Sequence, residues 1–152
     1  MYRGLLLLLF LLTYNSSSVL GADGDAVGRL KTVNGPVYIL RGSEQTAAYL
    51  DMRIFRNDTL LTGKQGSTGI VFNDNSTLSL GPDTKFQLAS YEFNALEKKA
   101  CFVGRIRRGT MVYLSGLIAR MNAEATRFET PTAVAGVRGT KLAIKVEGGD
   151  NE

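Results

Sequence analysis

Apolar and polar residues alternate along most of the chain from Val27 onward, in short segments divided by glycine, asparagine and aspartate. In one such segment, Leu78 and Leu80 alternate with Thr77 and Ser79. A period of two residues gives a β-strand one apolar face and one polar face. No segment keeps the 3.6-residue apolar period of a capped helix over several turns. The pattern therefore predicts an all-β domain.

The clearest predicted hairpin lies between Thr68 and Leu80, with its turn at Asp74 and Asn75. Asparagine is the next best residue after glycine at a positive φ, so it suits the tip of a tight turn. The alternation resumes after this hairpin and predicts a further strand over 84–88.

A second hairpin is predicted near the start of the domain, from strands over 29–33 and 37–40 with Asn34 and Gly35 at the turn. Asn-Gly is a strong hairpin signal because both residues tolerate positive φ. Pro36 follows directly and has no amide proton, so the second strand must begin where that proton is not needed.

The remaining segments are assigned by composition and alternation. The segment 140–146 predicts the last strand, whereas 117–125 is rich in alanine, leucine and methionine and favours a short helix or a covering loop. The segment 91–102 has no firm period and receives no assignment. Short strands with tight turns are typical of an elongated β-solenoid or a β-sandwich, and both arrangements remain open.

The first 22 residues have the layout of a cleavable signal peptide. Arg3 precedes an apolar run over 5–12, a polar run follows, and the small residues Gly21 and Ala22 offer the cleavage position. This apolar run is far shorter than the roughly 20 residues that cross a bilayer. We expect a periplasmic or secreted protein with no stable membrane insertion after cleavage.

Composition allows one globular domain after the signal peptide, over 23–152 with a core of about 27–147, in a chain of 152 residues that are 44% hydrophobic. Histidine is absent and Cys101 is the single cysteine. The commonest proton shuttle and metal ligand is therefore missing, and a Cys101 nucleophile would lack its usual base. We expect no enzyme activity, no cofactor and no metal site, and we favour a buried small residue over an intermolecular disulfide for Cys101.

The net charge of +4 is mild, and export argues against a nucleic-acid partner. Arg105, Arg107 and Arg108 form a basic cluster that a regular strand would divide, with Arg105 and Arg107 on one face and Arg108 on the other. A solvated face is favoured over a patch for anionic glycan or lipid headgroups. Three acidic residues at or near predicted turns are interpreted as turn formers, not as a catalytic pair or a calcium site: Asp58, Asp74 and Asp83.

The order of these pieces resembles the FecR domain of bacterial cell-envelope proteins. The most specific match is a Thr-Pro pair followed by Arg-Gly-Thr and a last strand, here Thr130, Pro131, Arg138, Gly139 and Thr140. The middle of the chain also fits the family pattern, at Asp58, Thr59, Thr62, Gly63, Gly66 and Ser67. The resemblance is to small exported members, because the cytoplasmic and transmembrane segments of the FecR sensors have no counterpart in this sequence.

The most suggestive element is the stretch around Gly136, Arg138 and Gly139, where backbone amides and a guanidinium could meet a carboxylate or phosphate. The favoured explanation is structural, with the glycines needed for a bulge or tight bend and Arg138 paired internally.

We expect a non-enzymatic interaction or signalling module that presents a strand edge or this arginine and glycine surface to another envelope protein. One alternative is a module for cell-wall polysaccharide, suggested by the compartment, the mild positive charge and the tyrosines. Another is an indirect regulator of metal or iron-siderophore uptake. The sequence leaves the oligomeric state open.

Overall fold

The computed structural model describes residues 24–148, and the predicted signal peptide lies outside them. This part of the chain is all-β, as predicted, with one short helix. The strands are β1 (Gly28–Asn34), β2 (Val37–Arg41), β3 (Glu44–Ala47), β4 (Arg53–Ile54), β5 (Thr59–Thr62), β6 (Ser67–Phe72), β7 (Thr77–Leu80), β8 (Lys85–Asn94), β9 (Lys99–Leu114), β10 (Thr126–Glu129), β11 (Val134–Gly136) and β12 (Lys141–Val146). The helix, α1 (Leu117–Met121), lies between β9 and β10.

The long strand β9 joins two halves of one curled sheet. Its first half pairs with β8, beyond which lie β5, β2 and β3, and its second half pairs with β7, beyond which lie β6, β1 and β4. The halves meet at Gly109, whose φ of +96° is open to glycine but rarely to other residues. A Cβ atom at Gly109 would collide with Thr84, so the corner also depends on the missing side chain.

Aromatic side chains fill the space that the curled sheet encloses. Phe102 lies at the centre, with its ring 4.9 Å from Phe72 and 5.2 Å from Tyr113, and Tyr113 lies 5.0 Å from Phe128. All four are buried. Full burial of a large apolar side chain stabilises a fold by about 1.5–3 kcal/mol, so this cluster holds the two halves together.

Within the described residues, every strand pair is antiparallel except that of β9 with β10. The strands form one curled, half-barrel sheet around the core, whereas stacked parallel strands would be expected of a β-helical solenoid. No helix among residues 24–148 has the length and apolarity needed to span a bilayer.

The hairpin predicted around Asp74 and Asn75 is confirmed, since β6 pairs with β7 and Asn75 has a φ of +63°. The predicted last strand is confirmed as β12, and the strand over 84–88 forms the start of β8. The unassigned segment 91–102 contains the turn of a long hairpin formed by β8 and β9. The segment 117–125, expected to be a short helix or a covering loop, begins with the short helix α1.

The other predicted hairpin is wrong. Strands β1 and β2 exist as expected, but β1 pairs with β4 and β6, and β2 pairs with β3 and β5. A two-residue turn at Asn34 and Gly35 would be closed by an N–H of the next residue, and Pro36 has none. The Pro36 carbonyl instead accepts a hydrogen bond from Gly63 N at 2.9 Å, and the chain crosses here between the two halves of the sheet.

Candidate functional site

A groove opens beside β9 where its pairing is interrupted. Strands β7 and β8 follow each other along one side of β9. On the other side β10 pairs with 102–105 and β12 pairs with 109–114, so 106–108 lie between them without a strand partner. A groove of about 1150 Å³ lies at this gap, bounded by the β10–β11 turn and by β12.

Apolar side chains form much of the wall of this groove. Leu142, Ile144 and Val146 of β12 pack against the core on one side and remain half-buried. Pro131 and Ala133 line the groove from the β10–β11 turn. The groove thus leaves apolar surface open to solvent next to a strand edge.

Four basic side chains also line the groove: Lys85, Arg107, Arg108 and Lys145. Strand β9 contains a bulge beside these residues, because Lys85 lies opposite Arg108 whereas its neighbour Phe86 lies opposite Ile106, two residues earlier in β9. The expected division of the cluster, with Arg108 on the face opposite Arg105, is therefore wrong. Because the bulge adds one residue to β9, Arg108 lies on the same face of the sheet as Arg105.

The arginines of the cluster differ in their partners. Arg105 Nε lies 2.7 Å from Glu129 Oε2, and this guanidinium holds the pKa of Glu129 below its usual value. Arg108 Nε lies 3.6 Å from Asp83 Oδ1, where both side chains are about half exposed. Within residues 24–148, Arg107 and Lys85 have no carboxylate within 4.0 Å. The groove therefore keeps an excess of positive charge.

Strand β12 is an edge strand. It pairs with β9 on one side, and among residues 24–148 its backbone makes no hydrogen bond to any other strand. Alternate residues of this six-residue extended strand thus offer unpaired N–H and C=O groups next to the groove. Strand β3 is also an edge, but all four of its residues are exposed and none of them lines the groove.

The Thr-Pro pair has a structural role in the turn from β10 to β11. The Thr130 backbone N–H donates to the Ala133 carbonyl at 2.8 Å, and Thr130 Oγ1 accepts from Ala133 N at 2.9 Å. Pro131 suits the second position of such a turn because its φ is fixed. The turn places Thr130 and Pro131 on the groove.

The second part of the predicted motif lies away from the groove. Arg138, Gly139 and Thr140 are exposed and line a small cleft of about 210 Å³. A Cβ atom at Gly136 or Gly139 would meet nothing within 4 Å, so the expected steric need for glycine is not observed. Within residues 24–148, Arg138 makes no side-chain hydrogen bond or ion pair, which also departs from the expected internal pairing.

Of the three aspartates interpreted as turn formers, Asp58 and Asp74 do more than form turns. Asp58 is fully buried, and Arg41 donates to its two oxygens from Nε and Nη2, each at 2.8 Å. Asp74 is also fully buried. Asp83 is exposed in a turn at a φ of +53°. Within residues 24–148, no three His, Cys, Asp or Glu residues are grouped in a way that could hold a metal ion.

Asp74 is surrounded by donors that carry no charge. Its Oδ1 accepts from Ser76 Oγ at 2.6 Å and from Tyr91 Oη at 3.1 Å, and its Oδ2 accepts from Ile118 N at 3.2 Å. Burial, and then the nearby Asp74 carboxylate, raise the pKa of Tyr91 well above its usual value. This network ties the β6–β7 turn to β8 and to α1.

Cys101 is half-buried, with Sγ 3.6 Å from Ser90 Oγ on the paired strand. It lies outside the groove.

The sequence identified the turn and three arginines, but not Lys85 or the apolar wall, because these residues come together only through the pairing around β9. The alternation of 141–146, with lysines on one face, was the available signal for an edge strand.

Comparison with known proteins assigns most of the chain to a family. The FecR protein family matches residues 58–152, which begins just before β5 and includes both parts of the motif. No curated protein sequence matches the chain. A solved structure described as a cell surface anchoring domain is 30% identical over 41% of this chain and 83% of its own length, with a TM-score of 0.40. Because the family match covers more than half of the chain, the protein belongs to the FecR family.

Proposed function

We propose that this protein is a non-enzymatic binding module of the bacterial cell envelope, and that it holds a partner protein by strand addition along β12. The observation that carries this proposal is the unpaired edge of β12 beside the groove. In strand addition, backbone hydrogen bonds provide affinity and side-chain pockets provide specificity. Family membership and the predicted signal peptide support the envelope as the compartment.

The apolar wall supports the same proposal. A strand added to β12 would cover Leu142, Ile144 and Val146, which are half-buried in the free protein. Burial of apolar surface contributes about 25 cal/mol per Å², so covering this wall favours an extended segment over a ligand that meets the groove through charges alone.

The polysaccharide alternative receives less support. Among the tyrosines within residues 24–148, Tyr91 and Tyr113 are buried in the core, and Tyr38 and Tyr49 are exposed. The two exposed tyrosines lie in β2 and after β3, away from the groove. Sedimentation of the pure protein with peptidoglycan tests this alternative. The other alternative, an indirect role in iron-siderophore uptake, would itself require a partner protein.

Site-specific photocrosslinking of the exported protein in living cells tests the main proposal. A benzophenone amino acid at Ala143, on the exposed face of β12, should capture a defined envelope protein through one extended segment, as mapped by mass spectrometry. The same probe at Gln45, on the edge strand β3, is the matched control. Capture of the same proteins from both edges, or none from Ala143, would contradict strand addition at β12.

A further inference from the structure

We propose that the segment bound along β12 is an amphipathic strand in which carboxylates alternate with apolar residues. This inference rests on the proposed strand addition and specifies its ligand. Alternate residues of an added strand face opposite sides of the sheet, so each face of β12 selects one set of side chains.

The two faces of β12 differ in chemistry. Leu142, Ile144 and Val146 form the half-buried face, while Lys141 and Lys145 belong to the exposed face. A strand added alongside would place one set of side chains beside the apolar residues and the other set beside the lysines. Apolar residues suit the first set, and carboxylates suit the second.

The charges of the groove favour carboxylates as well. Lys85, Arg107, Arg108 and Lys145 line it, and Glu147 is the one carboxylate among the lining residues. Glu147 is already engaged by Lys145 at 2.9 Å, and this contact lowers the pKa of Glu147. Arg107 and Lys85 are therefore available to a carboxylate supplied by the ligand.

The combination of features distinguishes an acidic protein segment from a simple polyanion. A phosphate or an acidic glycan would meet the basic side chains but would leave the β12 amides and the apolar wall unused. A neutral strand would use the backbone and the wall but would leave Arg107 and Lys85 without partners. An amphipathic acidic strand uses all three features.

Three soluble peptides of equal length test the inference by fluorescence anisotropy with the exported protein at low salt. Valine alternates with aspartate in the first, with threonine in the second and with lysine in the third. We expect the aspartate peptide to bind at least about ten-fold more tightly than the threonine peptide, since charge-assisted hydrogen bonds exceed neutral ones. We expect the lysine peptide not to bind.

The double variant Lys85→Gln/Arg107→Gln removes the two groove cations that have no carboxylate partner within residues 24–148, and it should reduce the preference for aspartate over threonine while still binding both peptides. The matched control is Arg53→Gln/Arg56→Gln, which removes the same charge from residues that do not line the groove. It should keep the preference. A circular dichroism spectrum and a thermal midpoint equal to those of the wild type establish that both variants fold.

Equal binding of the aspartate and threonine peptides would overturn the acidic preference and leave strand addition intact. Inorganic polyphosphate that displaces the aspartate peptide as effectively as unlabelled aspartate peptide does would also overturn the acidic preference, since a simple polyanion would then be sufficient for binding. If none of the three peptides binds but the crosslinker at Ala143 captures a partner, the proposed ligand class is overturned and strand addition stands. Failure of both experiments would overturn the proposed function itself.

Discussion

The backbone N–H of Asp74 donates to the Tyr91 hydroxyl at 2.9 Å, and that hydroxyl donates in turn to Asp74 Oδ1 at 3.1 Å. Both residues are buried, so the two hydrogen bonds lie in the protein interior. The Asp74 carbonyl also accepts from Leu117 N at 2.8 Å, at the start of α1. One residue at a hairpin tip thus fixes three elements of the fold.

Replacing Asp74 should be among the most costly single changes in this protein. Asp74→Ala leaves the buried Ser76 and Tyr91 hydroxyls and the Ile118 amide without their acceptor, and we expect a loss of about 3 kcal/mol or more in the free energy of unfolding. Asp74→Asn keeps the shape and one carbonyl oxygen and should lose less. Urea denaturation measures both. A loss below about 1 kcal/mol for Asp74→Ala would contradict the role of the network.

Tyr91 should make the stability depend on alkaline pH. Burial raises its pKa in the folded state above the value of about 10 in the unfolded chain. Its contribution is therefore complete below pH 10 and is lost as the pH rises above this value. We expect Tyr91→Phe to destabilise the protein by about 1–3 kcal/mol at pH 7 and to weaken the decline in stability above pH 10.

Tyr113 provides the matched comparison for Tyr91. Its pKa is also raised by burial, and its hydroxyl lies near Ser76, Thr126 and Gly116 but makes no hydrogen bond of regular geometry within residues 24–148. Tyr113→Phe should therefore weaken the alkaline decline with little or no loss of stability at pH 7. Thermal unfolding between pH 7 and pH 11 measures both variants. Equal losses at pH 7 would show that the Asp74 contacts of Tyr91 contribute nothing specific.

The Arg41–Asp58 pair should contribute more than the surface ion pair of Lys31 with Asp51. Arg41→Met leaves the buried Asp58 carboxylate without its cation, and because Arg41 is itself half-exposed we expect a loss of about 2–3 kcal/mol. Lys31 and Asp51 are both about half exposed, so Lys31→Met should change stability much less. Chemical denaturation compares the two variants, and similar losses would contradict this ranking.

The corner of β9 should require glycine, and the glycine of the Arg-Gly-Thr motif should not. Gly109→Ala places a Cβ against Thr84 at a positive φ, and we expect a loss of about 2–4 kcal/mol. Gly139→Ala meets no atom and should stay within about 0.5 kcal/mol of the wild type. Thermal unfolding checks both changes. A large loss for Gly139→Ala would show a backbone requirement at this position.

The local pattern of the sequence predicted strands better than it predicted their partners. Alternation identified β7 and β12, because each has a face directed to the core. The partners of β1 and β2 depend on the missing amide of Pro36 and on contacts with 63–66, which are distant in sequence. Turn residues alone do not carry this information.

The candidate site was less predictable than the fold for a similar reason. Arg107 and Arg108 stood out as charged residues, but the bulge that turns Arg108 depends on the register with Lys85. Asp58 and Asp74 look like ordinary turn residues in the sequence, and their burial follows from side chains that lie 17 residues away, Arg41 and Tyr91. The groove exists only because β10 and β12 end on either side of one gap in β9.

Amide hydrogen exchange by NMR, with and without the segment captured at Ala143, tests the central claim most directly. In the free protein, the amides of 141–146 that do not bond to β9 should exchange rapidly. Strand addition at β12 predicts that these amides become protected when the segment binds, while those of β3 stay unchanged. Binding that leaves 141–146 unprotected, or that protects β3 instead, would contradict the proposed function.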